Sequence, residues 1–181
     1  MKISKRLLII LICSAVTICV ATGSTLAYIF AKTDNRENRF EPVFVSCDVE
    51  EKFDGNTKSN VIIRNTGDIE AYIRATFVVT WVSDSGAVHS SLPVEGQDYS
   101  LVLGSSKWMK GTDGFYYYTM PVHPGEATDV LISSIAPLVE GPDGYSLSVH
   151  IASTAIQSKP ISAVNEAWGA SVNENNILTA P

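Results

Sequence analysis

The strongest pattern in this chain is an alternation of apolar and polar side chains between residues 71 and 82. The odd positions are all apolar, whereas the even positions are mixed and include Arg74 and two threonines. Because successive side chains of a strand point to opposite faces, a period of two predicts a strand with one buried face. A one-residue slip would bury the Arg74 guanidinium without a partner, so the register is predicted to be fixed.

Shorter runs of the same kind lie on both sides of this strand. Turn residues separate the runs: Gly67 is free to take a positive φ in the turn before the long strand, and Asp113-Gly114 lie between two aromatic runs, which is typical of a hairpin. The runs predict further strands at 43–49, 61–63, 99–103, 108–110, 115–118, 128–135 and 145–151.

One helix is predicted near the C-terminus, at residues 161–168. Val164 and Trp168 are spaced as on one helix face. Pro160 is expected in the first turn, where its missing N–H does no harm, and Gly169 is expected to end the helix.

The order of these elements predicts the fold class. Seven or eight short strands followed by one short C-terminal helix indicate an all-β fold, an antiparallel β-sandwich of jelly-roll or immunoglobulin-like type. This domain is expected to span residues 43–169. Residues 170–181 are small and polar, and we expect them to form a disordered tail.

The N-terminus has the pattern of a targeting segment. Three basic residues precede an uncharged run whose strongly apolar part, 7–21, is 15 residues long. This length suits a signal peptide better than a membrane span, which needs about 20 residues. Small side chains predict cleavage between Ala27 and Tyr28, giving a signal peptide at 1–27 and an extended leader at 28–42. The alternative is an uncleaved anchor, which would be the only link to a membrane.

Charge and cysteine content restrict the partners of the exported chain. Removal of residues 1–27 leaves 10 of the 13 basic residues and all 19 acidic ones, a net charge of −9. Nucleic acid is therefore not an expected partner, because phosphate binding relies on clustered Lys and Arg. Cys47 is then the single remaining cysteine, so no intrachain disulfide can form, and we expect a buried structural thiol.

Residues with recognisable chemistry are few. The histidines His89, His123 and His150 are far apart, and none belongs to a zinc-binding helix motif. The sequence therefore predicts no catalytic residue, metal ligand or cofactor, and an enzyme is not favoured. Tyr116 and Tyr118 are candidate surface-binding aromatics, although cross-strand packing is the commoner use of such residues.

Four segments in a fixed order carry a family resemblance. They are GSTLAY at 23–28, RNTGDIEAYIR at 64–74, the aromatic hairpin at 108–118 followed by PGE at 124–126, and AIQ at 155–157 leading to EAWG at 166–169. Together they resemble the TasA/camelysin family of secreted proteins of Gram-positive bacteria, whose signal peptides are processed by a dedicated signal peptidase, SipW. The resemblance covers nearly the whole chain.

This resemblance implies a jelly-roll domain that is exported to the extracellular space or the cell surface. Some members polymerise into biofilm matrix fibres, so we expect a structural or surface protein, a matrix fibre subunit or an accessory component. Its partners would be copies of itself or homologous matrix subunits, joined by strand exchange. The candidate donor segment is Tyr28, Ile29, Phe30 and Ala31, a short apolar stretch that cleavage would free.

Two other functions stay open at this point. Camelysin is described as a metalloprotease, so the alternative is a camelysin-like cell-surface metallopeptidase, which would need bound metal. A small binding module for glycans or a host surface would depend on Tyr116 and Tyr118.

Overall fold

The structure, a computed structural model, describes residues 43–181 together with Lys5 and Ser14. Residues 43–181 are mostly β, with antiparallel strands and one short helix, as the sequence predicts. The elements, numbered here in chain order, are β1 Cys47–Phe53, β2 Lys58–Asn65, β3 Ala71–Ser83, β4 Tyr99–Leu103, β5 Trp108–Lys110, β6 Tyr116–Tyr118, β7 Ile132–Pro137, β8 Tyr145–Gln157, α1 Ile161–Trp168, β9 Ser171–Val172 and β10 Leu178–Thr179.

The strands form two four-stranded sheets and one small hairpin. The first sheet has the order β1-β2-β7-β4, and the second has the order β5-β6-β3-β8. Strands β9 and β10 pair with each other. Since β2 and β3 follow one another in different sheets, and β7 and β8 do so as well, the chain crosses repeatedly from one sheet to the other.

One hydrophobic core joins the two four-stranded sheets. The odd-numbered face of β3 contributes Ile73 and Ala75, and β2 contributes Val61 and Ile63 from the other sheet. All four side chains are buried. The predicted fixed register is confirmed, because β3 pairs with β8 along its whole length without a shift, from Ala71 opposite Gln157 to Ser83 opposite Tyr145.

A second core covers part of the opposite face of the second sheet. Tyr72 and Tyr117 are buried there against Val164 and Trp168 of α1 and against Leu178. The even-numbered face of β3, which the sequence pattern left mixed, is therefore partly buried as well. Helix α1 packs because its two large apolar side chains lie on one face, as their spacing predicts.

Arg74 lies beside this second core with its charge satisfied. Its guanidinium carbon is 4.2 Å from the centre of the Phe115 ring and 4.8 Å from that of Trp168. Its Nη1 donates to Tyr117 Oη over 3.2 Å and lies 3.6 Å from Asp113 Oδ2. Stacking and pairing explain how a guanidinium is accommodated between a sheet and a helix.

The prediction of a disordered tail at 170–181 is wrong. This segment forms the β9–β10 hairpin, and both Ala170 and Leu178 are buried. The backbone N–H groups of Asn175 and Ile177 donate to Asn173 Oδ1, which closes the turn. The tail is ordered because α1 alone leaves Tyr72 and Tyr117 uncovered, and burying Leu178 against these rings is favourable.

Element boundaries differ from the predictions where tertiary contacts decide them. The first strand begins at Cys47 rather than at residue 43, the predicted strand at 128–135 lies at Ile132–Pro137, and β8 extends to Gln157. The helix boundaries are confirmed, and Gly169 follows with a φ of 66°, although Pro160 lies just before the helix and not within its first turn.

Gly67 is required for a different reason from the predicted one. It does not take a positive φ. A Cβ at this position would lie 2.5 Å from the carbonyl oxygen of Phe44, because the segment before β1 passes directly beside the turn. Asp68 N–H donates to the same oxygen over 2.8 Å.

Candidate functional site

The outer edges of β1 and β8 form the candidate site. Strand β1 ends the first sheet and β8 ends the second, and the two lie on the same side of the molecule. The Cys47 thiol of β1 donates to Ser153 Oγ of β8 over 3.3 Å. We call this pair of neighbouring strand edges the edge seam.

The pairing of β3 shows which backbone groups of β8 face outward. Ala71 exchanges two hydrogen bonds with Val122, on the side of β3 away from β8. Backbone groups alternate along an antiparallel strand, so the even-numbered residues of β3, such as Tyr72 opposite Ile156, must bond to β8. The odd-numbered residues of β8 then direct their N–H and C=O groups away from β3. No strand among residues 43–181 pairs with that edge.

The side chains of β8 alternate in the same way. The odd-numbered residues Leu147, Val149 and Ile151 pack against the main core. The even-numbered residues from Ser146 to Thr154 lie on the outer face, and most of them are exposed. Any strand added at this edge would therefore extend a sheet that already has one buried face.

A groove opens at the C-terminal end of the edge seam. It has a volume of about 490 Å³. Its walls come from β8, from α1 and from the segment before β1, and three of the seven lining residues are alanines. The residues that line it are Val45, Ala155, Ile156, Gln157, Ala163, Glu166 and Ala167. We call it the acceptor groove, because small walls leave room for a large side chain from elsewhere.

A second cavity lies toward the other end of the edge seam, between the two sheets. Its volume is about 280 Å³, and it reaches the buried side chains of Ile135 and Val149. Phe53 at the end of β1 lines its mouth and is largely exposed. The core is therefore accessible from the side on which β8 has its free edge.

The Cys47 thiol within the edge seam is half-buried, less than the sequence analysis expected. Burial raises the pKa of the Cys47 thiol, the hydrogen bond to Ser153 lowers it, and the charge of Asp48 raises it, with a net upward shift. Since the thiolate is the nucleophilic form, this environment favours a structural thiol.

The candidate surface-binding aromatics do not lie on the surface. Tyr116 and Tyr118 are both buried in the main core. The Tyr116 ring stacks on Phe77 with centroids 5.4 Å apart, and Tyr118 Oη donates to Asp129 Oδ1 over 3.1 Å. The prediction of a binding role is therefore wrong, and cross-strand and core packing account for both residues.

Asp129 anchors the end of this hairpin. Its Oδ2 lies 3.1 Å from Lys107 Nζ and accepts a hydrogen bond from Ser105 Oγ over 2.9 Å. The Lys107 ammonium is the main reason why the pKa of Asp129 is lowered, although partial burial opposes the shift. The carboxylate is thus a charged structural partner of the strand end.

The three histidines lie apart, each with its own partner. His89 Nδ1 is 2.8 Å from Ser91 Oγ, His123 Nδ1 is 3.3 Å from Glu70 Oε1, and His150 Nε2 is 3.2 Å from Ser148 Oγ. Within the described part of the chain, no three His, Cys, Asp or Glu side chains are grouped so that they could hold a metal ion.

Several sequence predictions fall outside the described residues. The cleavage site at Ala27 and Tyr28 lies there, and so does the donor segment Tyr28, Ile29, Phe30 and Ala31. Among the helices that the structure does describe, none has the length and apolar character needed to cross a membrane.

Neither the edge seam nor the acceptor groove was predicted from the sequence. One feature of the sequence could have indicated the edge: the 13 residues of β8 contain no charged residue, proline or glycine. The groove could not have been found in this way, because its walls come from three separate segments.

Comparison with known proteins adds no further assignment. No family model matches the chain, and neither a curated protein nor a solved structure matches it. What the described residues offer is a mostly β domain with one long strand edge, that of β8, which no described strand covers.

Proposed function

We propose that this chain is a secreted structural or surface protein, a biofilm matrix fibre subunit or accessory component that assembles by strand exchange. The observation that carries the proposal is the outer edge of β8, which is 13 residues long and has no partner strand among residues 43–181. An edge of this kind is a template for a strand from another chain.

The composition of β8 supports an edge that receives a strand. Proteins protect free edges with charged side chains, proline, bulges or very short strands. None of these devices occurs between Tyr145 and Gln157, and the β3–β8 register contains no bulge. An edge left without protection over this length favours pairing as part of normal function.

The donor in this proposal is the segment Tyr28, Ile29, Phe30 and Ala31 of a neighbouring copy. Two of its four side chains are large rings, and the acceptor groove beside the end of β8 has alanines at three of its seven lining positions. The 11 residues from 32 to 42 could span up to about 36 Å when extended, at roughly 3.3 Å per residue. That length allows one copy to reach the edge of the next.

Deletion of residues 28–39 tests the donor. We expect a folded monomer without fibres, because the acceptor edge is intact and the donor is gone. Circular dichroism checks folding, and negative-stain electron microscopy at rising concentration checks assembly. Fibres that persist in the deletion variant would rule out donation by this segment.

A single proline tests the acceptor. Ala155 has an odd number, so its N–H points away from β3, and Ala155→Pro removes an outward donor without breaking a bond to β3. We expect a folded protein that no longer assembles. Ala155→Ser is the matched control, since it keeps the N–H and leaves a small side chain in the wall of the acceptor groove. Equal assembly of the two variants would contradict the proposed edge.

We also propose that the two sheets form a β-sandwich, with immunoglobulin-like topology favoured over a jelly-roll. The order β1-β2-β7-β4 corresponds to strands A, B, E and D of an immunoglobulin domain, and the pair β3-β8 corresponds to C and F. The β5–β6 hairpin is then an insertion beside strand C. An experimental structure in which β1 pairs with β8 instead of β2 would favour the jelly-roll.

A further inference from the structure

The outer face of the β3–β8 ribbon is an uncharged surface. Beyond Arg74, the even-numbered residues of β3 pair with the even-numbered residues of β8 on this face. None of them is Asp, Glu, Lys or Arg. We call this set the neutral face; its members are Thr76, Val78, Thr80, Val82, Ser146, Ser148, His150 and Ala152. The face ends at Thr154, which lies opposite Arg74 and accepts a hydrogen bond from its Nε over 3.2 Å.

The neutral face is open to solvent in the described part of the chain. Val78, at the middle of β3, is 55% exposed, and its partner strand exposes Ser146, His150 and Ala152. The second core covers only the end of the sheet near Tyr72. Thr80 Oγ1 is buried within the face and has no hydrogen-bond partner among the described residues.

The charge of the chain limits what can approach this face. The full sequence has a formal net charge of −6, so two copies repel each other overall. A face without charges avoids this repulsion, and it offers nothing to a nucleic acid or to another highly charged partner. It carries no Phe, Tyr or Trp ring on which a sugar could stack. A second neutral face is the surface that fits it best.

We propose that the neutral face is a contact surface at which two copies of this chain pack sheet against sheet. Val78 lies at the centre of β3, so a two-fold axis near this residue places the same face on both sides of the contact. Strands that stack in this way lie about 10 Å apart. This contact is separate from strand exchange, which uses the edge of β8 and not its face.

The size of the face sets the strength of the contact. Four outward positions on each of the two strands cover an area of about 20 Å by 10–15 Å, or roughly 200–300 Å² on each copy. A stable pair usually buries about 800 Å² on each partner, so isolated copies should associate only weakly. Copies held in an array would associate more strongly, since many weak contacts then act together.

Cysteine cross-linking tests the proposal. Cys13, Cys19 and Cys47 are replaced by serine in the full chain, and Val78→Cys is added. Val102→Cys in the same background is the matched control, because Val102 is also a strand valine and is 52% exposed, but it belongs to β4 in the other sheet. A bismaleimide with a spacer of about 10 Å fits the spacing of stacked sheets.

We expect at least fivefold more cross-linked dimer from the Val78→Cys protein than from the control. Adding Thr76→Lys to the Val78→Cys protein should reduce the yield to that of the control, because it places like charges across the contact. Circular dichroism checks that each variant is folded. If the Val78→Cys protein does not fold, Ala152→Cys provides a second cross-linking position on the same face. Equal yields from face and control positions would overturn the inference.

The two proposals fail in different ways in this experiment. Fibres without excess cross-linking at residue 78 would overturn the face contact and leave strand exchange intact. Excess cross-linking without fibres would support the face contact and count against the fibre subunit.

Discussion

Removal of the Leu178 side chain tests whether the C-terminal hairpin is part of the folded protein. Leu178 is 0% exposed in the second core, within a segment whose composition suggests disorder. The adjacent Ile177 is 38% exposed and has the same number of carbon atoms. Leu178→Ala and Ile177→Ala therefore remove similar groups from a buried and a partly exposed position of one hairpin.

The expected effect follows from burial. Leu178→Ala removes three carbon groups, and at about 0.8 kcal/mol for each buried group the transfer contribution is about 2.4 kcal/mol. The cavity beside Tyr72 and Tyr117 adds to this value, so we expect a loss of about 3–4 kcal/mol in the free energy of unfolding. Ile177→Ala should cost less than about 1 kcal/mol.

Urea unfolding followed by tryptophan fluorescence and circular dichroism measures both values. Trp168 belongs to the second core and reports on it directly. Unchanged m-values would show that the change lies in stability and not in the unfolded state. If the free energies of unfolding of the two variants differ by less than about 0.5 kcal/mol, the hairpin does not contribute to the fold. Leu178 is then not part of a second core.

Three further predictions follow from other parts of the molecule. Asn65→Ala should lower the free energy of unfolding by about 2–4 kcal/mol in a urea titration, because the buried Asn65 side chain makes three hydrogen bonds, whereas the exposed Asn56→Ala control should change it little. The lowered pKa of Asp129 beside Lys107 means that this carboxylate stabilises the protein at neutral pH and that its contribution is lost as pH falls below the ordinary aspartate pKa of about 4. Asp129→Asn should therefore flatten the acid side of a plot of melting temperature against pH, and an unchanged plot would argue against the pairing. Cys47 should be alkylated by iodoacetamide at least tenfold more slowly in the folded protein than in urea, since burial raises the pKa of its thiol; equal rates would contradict its environment.

Local patterns predicted the parts of the fold that depend on neighbouring residues. The alternation at 71–82 and the spacing of Val164 and Trp168 are set by strand and helix periodicity, so β3 and α1 were placed correctly. The β5–β6 hairpin was predicted for the same reason, because its turn residues lie between its strands.

Predictions that depended on distant contacts were less successful. Tyr116 and Tyr118 are residues of the type found in sugar-binding surfaces. In the folded protein their rings are buried by residues far along the chain. The tail at 170–181 has the composition of a disordered segment, but Leu178 fills a gap between α1 and the second sheet. Composition cannot reveal such burial, because it does not state which surface a side chain will meet.

For residues 43–181 the sequence by itself determined a mostly β fold, the register of its longest strand and the position of its helix, and for the full chain it determined a net negative charge. These properties follow from periodicity, charge and residue counts, which need no knowledge of distant neighbours. The tertiary structure alone decided that β8 lies at a sheet edge, that its outer face is neutral, and that two cores share the second sheet. The physical reason is that an edge or a face is defined by the strands that do or do not lie beside it, and strand order is a property of the folded chain.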